Sequence, residues 1–306
     1  MDKEYYKGYY LMTSRCNLAC SYCVLENKPL QLKEELDLPD KKQLISHLYQ
    51  NLGFRSLTIS GGEALLIGKK APDEFLELLA FLKQFKSKDA KHNLKLYLYS
   101  NTLLMTNKIA EAMKGIIDGV SITIDSYSND TLRNIGRNRG RENNYLEKVI
   151  SACKELSRVD IPITIHTVVS KMNCDNIVKE LPEIILKLQN ENISVHKWKF
   201  YQYMSYDVTE VDNKHTISRQ LFKEIKSQAI ELLNQHGIFF HFKDTTEMKE
   251  SLFNILPYGN VQYNAGGSWS TTKRSSNLMQ YNSVEELFNQ EACFLDAFKK
   301  YHKLHI

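Results

Sequence analysis

Three cysteines near the start of the chain have the spacing of a metal–sulfur site. Cys16, Cys20 and Cys23 form a C-x3-C-x2-C pattern in the run Arg-Cys-Asn-Leu-Ala-Cys-Ser-Tyr-Cys, directly after a strand-like segment over 5–12. Three thiolates this close can each hold one iron of a cubane [4Fe–4S] cluster, which leaves the fourth iron without a protein ligand. Because an iron with an open position binds a small chelating molecule, the pattern predicts a reaction as well as a metal.

Two other uses of these cysteines are weaker interpretations. A disulfide framework is typical of short chains in oxidising compartments, whereas six cysteines are spread here over 306 residues. A structural zinc site normally has a fourth Cys or His close by, but the nearest histidine, His47, falls inside a predicted helix. The remaining cysteines, Cys153, Cys174 and Cys293, are isolated and are expected to be small buried apolar side chains.

The length of 306 residues supports a sizeable core and is near the usual size of a single α/β barrel domain. Hydrophobic residues make up 42% of the chain and charged residues 25%, as in typical globular proteins. The net charge of +4 is too small to indicate a nucleic-acid partner. No apolar run approaches the ~20 residues that span a bilayer, and we recognise no leader before the first strand. We therefore expect a cytoplasmic monomer that binds neither membrane nor nucleic acid.

Strand-like and helix-like segments alternate along most of the chain. The expected strands cover 5–12, 55–60, 94–99, 119–124, 161–169 and 195–203, and the expected helices cover 39–52, 72–85, 106–115, 144–156, 176–189 and 218–235. Six strand–helix units in succession predict parallel strands joined by right-handed crossovers. Because a full barrel has eight such units, we expect an α/β fold with an open, partial (β/α)6 TIM-like barrel over 1–236. Residues 237–306 are expected to form an irregular extension that covers the substrate side.

Polar motifs follow the ends of the predicted strands, where ligands gather in parallel α/β folds. Glycines after the second strand free backbone groups to contact a ligand, and a carboxylate beside them can accept a hydrogen bond from an ammonium. The candidates at the ends of strands two, three and four are Gly61, Gly62, Glu63, Ser100, Asn101 and Thr123. A Gly-Gly-Glu turn by itself is weak evidence for a ligand site. Here it follows the cysteine loop by one strand–helix unit, and the two motifs together are a strong indication of one site.

This combination resembles the radical S-adenosylmethionine (SAM) superfamily, whose signature is a C-x3-C-x2-C loop followed by a Gly-Gly-Glu turn. The resemblance extends over about residues 5–203 and implies that SAM chelates the open iron of the cluster. An electron from an external donor of the flavodoxin or ferredoxin type then cleaves SAM to a 5′-deoxyadenosyl radical. The SAM-binding positions that the resemblance implies are Tyr22, Gly61, Gly62, Glu63, Ser100, Asn101, Thr123 and Arg137. One departure is Ala64, where a proline often follows the glutamate.

Within that superfamily, several runs look like viperin and its prokaryotic relatives, which act on nucleoside triphosphates. There is no second cysteine cluster near the C-terminus, which disfavours the maturases with auxiliary clusters. The runs that resemble viperin cover 134–137, 166–173, 197–202, 244–251 and 257–259. Lys28 lies five residues after the third cysteine, where that family keeps a lysine. The substrate-binding residues that this narrower resemblance implies are Lys28, His166, Lys199 and Lys249.

The viperin-like resemblance also implies a reaction. The radical takes the ribose 4′-hydrogen, and the 3′-hydroxyl leaves as water, which gives a 3′-deoxy-3′,4′-didehydro nucleotide after a further electron and proton. Such a product would stop a polymerase, which suits antiviral defence. Because a triphosphate carries several negative charges, its pocket needs cations, and the lysines supply them. Arg137 stands where relatives often place an arginine on the SAM carboxylate, a task suited to a planar guanidinium.

Two departures from the viperin pattern leave two details of the reaction undetermined. Thr164 and His166 stand where viperin-like proteins usually have Lys and Asn, so the nucleobase is undetermined. Leu252 and Phe253 replace a Ser-Tyr pair after Ser251, so the donor of the last electron and proton is undetermined. The alternative functions are a single-cluster radical SAM enzyme acting on a peptide or cofactor precursor, and a zinc-binding module without enzymatic activity.

Overall fold

Strands and helices alternate in the computed structural model, which describes residues 4–23, 25, 35–138, 144–205, 207, 209–265, 272–288 and 292–306. The strands within these ranges are β1 (Tyr5–Leu11), β2 (Phe54–Ser60), β3 (Lys95–Tyr99), β4 (Gly119–Thr123), β5 (Ile163–Val169), β6 (Val195–Gln202), β7 (Phe239–Lys243), β8 (Phe253–Ile255), β9 (Asn260–Tyr263), β10 (Lys273–Asn277) and β11 (Lys303–Leu304). The α-helices are α1 (Leu38–Gln50), α2 (Asp73–Leu82), α3 (Asn107–Met113), α4 (Asn129–Ile135), α5 (Tyr145–Arg158), α6 (Ile177–Asn190), α7 (Thr209–His215), α8 (Arg219–Gln235), α9 (Thr245–Glu250), α10 (Val284–Leu287) and α11 (Ala292–His302).

One sheet contains all of these strands, and its central part is parallel. The strands β1 to β7 lie side by side in chain order, each parallel to the next. On the other side of β1 the sheet continues through the parallel strand β8 and the antiparallel strands β9 and β10, while β11 pairs with the start of β1. Among the described strands, β7 and β10 end this path without pairing with each other, so the sheet stays open. The expectation of a partial α/β barrel is confirmed.

The parallel strands separate an apolar outer face from a polar inner face, because successive side chains of a strand point to opposite sides. On β6, Trp198 and Phe200 are fully buried in the hydrophobic core. The alternate residues Lys197 and Lys199 line a cavity inside the barrel. The hydrophobic core therefore lies outside the sheet, beneath the helices, and the interior is left for polar groups.

Local sequence accounts for the helices that cover the outer face, as α1 illustrates. Asp37 caps the helix by accepting a hydrogen bond from the backbone N–H of Asp40 at 2.9 Å, and a proline stands in the first turn. Leu44, Ile45 and Leu48 recur at helical spacing and are all buried. The apolar stripe predicted from the sequence is therefore the face that packs on the sheet.

The segment after residue 236 is more regular than expected. β7 pairs in parallel with β6, with Trp198 opposite Phe240 and Phe200 opposite Phe242. Two of its side chains are exposed and three are half-buried, as in an edge strand of a sheet. The extension also contributes β8 to β11 to the same sheet. The division of the chain into 1–236 and 237–306 stays a prediction.

The segment between β4 and α5 contains a helix, α4, where we expected an arginine-rich loop. Ser128 caps its start by accepting a hydrogen bond from the backbone N–H of Thr131, and Gly136 ends it with φ of +90°. Both signals are present in the sequence. In the part of the chain that the structure describes, no helix has the length and apolar character needed to cross a membrane.

Candidate active site

The cysteine loop follows β1 and packs directly on the end of α4. A Cβ at Gly136 would lie 2.1 Å from the carbonyl oxygen of Ala19, so the two backbones touch where a side chain would clash. The backbone N–H of Ser21 donates to the carbonyl oxygen of Ile135 at 2.8 Å. Between the second and third cysteines, the N–H of Cys23 donates to the carbonyl oxygen of Cys20 at 2.9 Å. The loop is therefore held in place by its own turn and by α4.

The turn after β2 lies against the same loop. A Cβ at Gly61 would lie 2.5 Å from the carbonyl oxygen of Thr13, and one at Gly62 would lie 2.3 Å from that of Arg15. The N–H groups of Gly62 and Glu63 donate to these two carbonyls, each at 2.8 Å. The two motifs that the sequence predicted as parts of one site are thus joined through their backbones.

One cavity at the carboxyl ends of β1 to β4 is lined by all three cysteines. Its empty volume is about 810 Å³, including the open mouth. Cys16 is exposed, Cys20 is buried and Cys23 is partly buried. The other predicted site residues that line this cavity are Tyr22, Gly61, Gly62, Ser100, Asn101, Thr123, Arg137 and His166. The topology therefore brings most of the predicted residues into one place.

Glu63 lies behind this cavity and is outside its described lining. Its fully buried carboxylate accepts hydrogen bonds from the Ser100 hydroxyl at 2.8 Å and from the backbone N–H of Asn101 at 2.6 Å. Burial raises the pKa of this carboxyl despite the donors around it. The observed contacts tie the end of β2 to the end of β3, and a direct contact of Glu63 with SAM stays a prediction.

Arg137 enters the cavity beside Tyr22, and its charge is paired with Asp125. The guanidinium Nε lies 2.9 Å from Asp125 Oδ2, and the two side chains are 8% and 0% exposed. The Tyr22 hydroxyl donates to the same carboxylate oxygen at 2.6 Å. The Arg137 guanidinium also contacts the hydroxyls of Tyr22 and Tyr145. The pairing of Asp125 with Arg137 was not predicted from the sequence.

His166 has an unsatisfied ring nitrogen. It lines the cysteine cavity, is 8% exposed, and its Nε2 has no hydrogen-bond partner among the described residues. Its ring stands edge-on to Tyr99 and Tyr201, with centroids 4.7 and 5.1 Å away. Burial, together with the charge of Lys199, holds the pKa of His166 well below its usual value. A neutral, buried and unpartnered imidazole beside a cavity is suited to hydrogen-bond a ligand.

A second cavity occupies the interior of the barrel next to the first. Its empty volume is about 740 Å³, again with open solvent included, and Tyr99 and Ser121 line both cavities. Lys7, Lys197 and Lys199 line the interior cavity, and its described lining contains no Asp or Glu. The interior cavity is therefore positively charged without an acidic counterpart.

Among these lysines, Lys199 has a lowered pKa. Burial first, and then the positive charges of three neighbouring lysines, lower the pKa of Lys199 to about 8. The three neighbours are Lys197, Lys243 and Lys7. A bound anion would relieve this repulsion, so the arrangement favours a negatively charged ligand.

The remaining predicted substrate residues are less informative. Lys28 lies outside the described residues. Lys249 lies in α9 and is not in the described lining of either cavity. Lys7 and Lys197 were not predicted from the sequence. Each stands two residues before another residue that lines the interior cavity: Lys7 before Tyr9, and Lys197 before Lys199. That two-residue period was the signal that could have found them.

The residues around the cysteine cavity fit a cluster with a chelated SAM. Cys16 Sγ accepts from the Leu18 N–H at 3.4 Å and lies 3.7 Å from Asn101 Nδ2, but burial outweighs these donors and raises the pKa of the Cys16 thiol. Burial raises the pKa of the Cys20 thiol to about 12, so metal binding there must displace a proton. Within the described ranges no three Cys, His, Asp or Glu side chains are arranged around one metal ion. The assignment rests on the spacing of the cysteines and on the cavity that they share.

Comparison with known proteins identifies the class. Residues 10–181, more than half of the chain, match the radical SAM superfamily. The chain therefore belongs to this superfamily of enzymes, and membership implies SAM and an iron–sulfur cluster. It is similar to the S-adenosylmethionine-dependent nucleotide dehydratase of Psychrobacter lutiphocae, with 24% identity over 269 residues. That alignment covers 85% of this chain and 84% of the dehydratase.

Two further proteins of known sequence or structure are similar to this chain. The chain is 28% identical over 175 residues to the GTP 3′,8-cyclase of Aliarcobacter butzleri, covering 56% of this chain and 49% of the cyclase. Its structure superposes on that of native anSMEcpe with bound AdoMet and Cp18Cys peptide with a TM-score of 0.67, at 14% identity. That superposition covers 98% of this chain and 84% of the other. At this identity the likeness shows the radical SAM fold.

Proposed function

We propose that this chain is a viperin-like nucleotide dehydratase. It binds a [4Fe–4S] cluster through Cys16, Cys20 and Cys23, binds SAM at the cluster, and converts a nucleoside triphosphate to its 3′-deoxy-3′,4′-didehydro form. The observation that carries the proposal is the adjacency of two cavities with different chemistry. Cysteines line one, lysines without an acidic counterpart line the other, and Tyr99 and Ser121 line both. A ligand with a ribose near the cysteines and phosphates among the lysines would suit both cavities.

On the cofactor side, the backbone of Gly61 and Gly62 and the side chain of Asn101 face the SAM methionyl group. Tyr22 packs beside the adenine, with its hydroxyl fixed by Asp125. Arg137 keeps donors for the SAM carboxylate because its guanidinium has more N–H groups than its pairing with Asp125 uses. Ser100 and Thr123 complete this side, and Glu63 holds the ends of two strands in register around it.

On the substrate side, Lys199 neutralises the phosphates together with Lys7 and Lys197. Several cations in a partly desolvated cavity bind a polyanion more strongly than the same charges at an exposed surface. His166, as a neutral imidazole with a free nitrogen, hydrogen-bonds the substrate between the phosphates and the cysteines. Lys28 and Lys249 are assigned here from the resemblance alone.

When bound, the cluster and SAM supply the radical that takes the ribose 4′-hydrogen. The residues of the chain position the ribose and exclude water from it, which is the protein's share in such chemistry. Loss of the 3′-hydroxyl as water, with uptake of one electron and one proton, balances the conversion of the substrate. A flavodoxin- or ferredoxin-type protein supplies the electron that cleaves SAM. A product without a 3′-hydroxyl would stop a polymerase, which fits a role in antiviral defence.

The test is incubation of anaerobically reconstituted protein with SAM, dithionite and each nucleoside triphosphate in turn. The proposal expects one triphosphate to stimulate 5′-deoxyadenosine formation and to yield a nucleotide lighter by one water. If no triphosphate does either, the assignment is wrong. Stimulation by a peptide instead would favour the other single-cluster enzymes of the superfamily.

A second candidate is a nucleotide cyclase, which the similarity to GTP 3′,8-cyclase favours. The same incubation separates the two. Cyclisation within a nucleotide keeps its mass unchanged, whereas dehydration removes one water. A product of unchanged mass formed from GTP would support the cyclase and contradict the dehydratase.

A further inference from the structure

His215 joins the segment after β6 to the cysteine loop. It is the last residue of α7 and is fully buried. Its Nε2 lies 3.0 Å from the hydroxyl of Ser21, which stands between the second and third cysteines. Its ring also meets the edge of the Tyr22 ring, with centroids 5.8 Å apart and planes at 87°. Two consecutive residues of the cysteine loop therefore rest on one buried histidine.

The hydrogen bonds around this histidine favour one of its two neutral tautomers. The Ser21 hydroxyl donates to the carbonyl oxygen of Ile135 at 3.2 Å, so towards His215 it acts as an acceptor. His215 then carries its proton on Nε2, and its Nδ1 accepts from the Ser170 hydroxyl at 3.4 Å. The backbone carbonyl of His215 accepts from the N–H of Lys171 at 3.0 Å. The imidazole is thus fixed from the side of β5 and donates to the cysteine loop.

The other described contacts of this stretch of loop come from the segment between β4 and α5. Ser21 is bonded to the end of α4, and the Tyr22 hydroxyl is bonded to Asp125. His215 adds a contact from a distant part of the chain, 194 residues away in sequence. It lies after β6, the strand whose Lys197 and Lys199 line the interior cavity. Removing His215 would take away the support that Ser21 and Tyr22 receive from the segment after β6.

We propose that His215 is a positioning residue for the iron–sulfur cluster. It donates a hydrogen bond to Ser21 and supports the ring of Tyr22, which keeps Cys20 and Cys23 at the separation that the cluster requires. The inference rests on the cofactor assigned under the proposed function. It concerns how this chain holds its cysteine loop and is independent of which substrate the enzyme uses.

The experiment compares five reconstituted variants, four single ones and the double variant Ser21→Ala/His215→Ala, by the rate at which a chelator removes iron and by the EPR spectrum of the reduced cluster. His215→Ala removes the donor and the ring, and His215→Gln keeps an N–H donor at a similar reach. Ser21→Ala removes the acceptor for His215 together with the hydroxyl's own hydrogen bond to the carbonyl oxygen of Ile135. His302→Ala is the matched control, because His302 is also buried (2% exposed) and bonds the carbonyls of Lys7 and Ser251.

We expect His215→Ala to lose iron at least about fivefold faster than the wild type. This factor corresponds to the loss of one net hydrogen bond. Its EPR signal should broaden or shift, and His215→Gln should restore much of both properties. Ser21→Ala should speed iron loss too, and because the two side chains share one hydrogen bond, the double variant should lose iron more slowly than the product of the two single effects. His302→Ala should lower the melting temperature but leave iron loss and the EPR signal unchanged.

Two results would overturn the inference. If His215→Ala retains iron and its EPR signal like the wild type, the histidine does not position the loop. If His302→Ala accelerates iron loss as much as His215→Ala does, the effect is one of general stability. A wild-type protein that takes up no iron–sulfur cluster would instead contradict the proposed function, and the inference with it.

Discussion

Asp125 pairs with Arg137 beneath the cysteine loop, with 2.9 Å between Oδ2 and Nε and with both side chains buried. The same oxygen accepts from the Tyr22 hydroxyl at 2.6 Å, while Oδ1 accepts from the backbone N–H of Val168 at 2.9 Å. One carboxylate thus connects the cysteine loop, the arginine at the cavity and β5. Such an ion pair is favourable only while each charge keeps its partners.

Replacing Asp125 by Ala should therefore be strongly destabilising. The variant leaves a buried guanidinium without its carboxylate, and breaking a buried pair in this way costs about 3–5 kcal/mol of unfolding free energy. Urea unfolding measures the loss. The control is Glu111→Ala, which breaks the exposed pair with Arg158 and should leave stability almost unchanged. Equal stability of the two variants would contradict the importance of the buried pair.

A side chain at Gly136 should displace the cysteine loop. Gly136→Ala places a Cβ 2.1 Å from the Ala19 carbonyl oxygen and 3.2 Å from the Cα of Cys20. Gly115→Ala is the matched control, because Gly115 also has positive φ (+71°) but has nothing within 4 Å of the added Cβ. Both variants carry the strain of a left-handed alanine, about 1–2 kcal/mol, and Gly136→Ala carries the clash in addition.

Iron content after reconstitution distinguishes these two glycine variants. Gly115→Ala should bind the wild-type amount of iron, whereas Gly136→Ala should bind clearly less because its second cysteine has moved. If both variants take up iron equally well, close contact between α4 and the loop is not needed for the cluster.

Phosphate binding should weaken as the pH rises through about 8. In that range Lys199 loses its proton, because burial and the neighbouring lysines lower its pKa to about 8. Titration of the substrate triphosphate should give tighter binding at pH 7 than at pH 9. At pH 7, Lys199→Met should bind the triphosphate at least about tenfold more weakly than the wild type, as expected for a lost charged hydrogen bond. At pH 9 the affinities of the variant and the wild type should differ little.

The control for this titration is Lys83→Met, at an exposed lysine outside both described cavity linings. It should bind like the wild type at both pH values. A wild-type affinity that stays constant from pH 7 to pH 9, or a Lys83 variant as weak as the Lys199 variant, would show that Lys199 does not neutralise the phosphates.

Much of the parallel sheet could be predicted from the sequence because its strands are short segments rich in β-branched and aromatic residues that are bounded by turn residues. The segment expected over 55–60 corresponds to β2, which is buried along nearly its whole length. β7 was missed since its exposed positions alternate with half-buried ones, a pattern shared with many loops. α4 was not predicted because only Leu132 and Ile135 are buried in its 7 residues, too few for a clear helical period, although Ser128 caps its start.

For the site, residue types and spacing predicted which side chains come together but not how they pair. Gly61, Gly62 and Asn101 were found because strand ends converge in parallel folds. That the Glu63 carboxylate accepts from Ser100 and Asn101 depends on side-chain directions that no local pattern encodes. The contact between His215 and Ser21 joins residues far apart in sequence, within a polar segment without periodicity, so local reasoning had no access to it.

The most direct test of the proposed reaction follows one hydrogen atom. Reconstituted enzyme is incubated with SAM, a reductant and the active nucleoside triphosphate carrying deuterium at the ribose 4′ position, and the 5′-deoxyadenosine is analysed by mass spectrometry. The proposed reaction predicts that 5′-deoxyadenosine gains one deuterium while the nucleotide loses one water. Formation of 5′-deoxyadenosine without deuterium, or transfer only from another labelled ribose position, would contradict it.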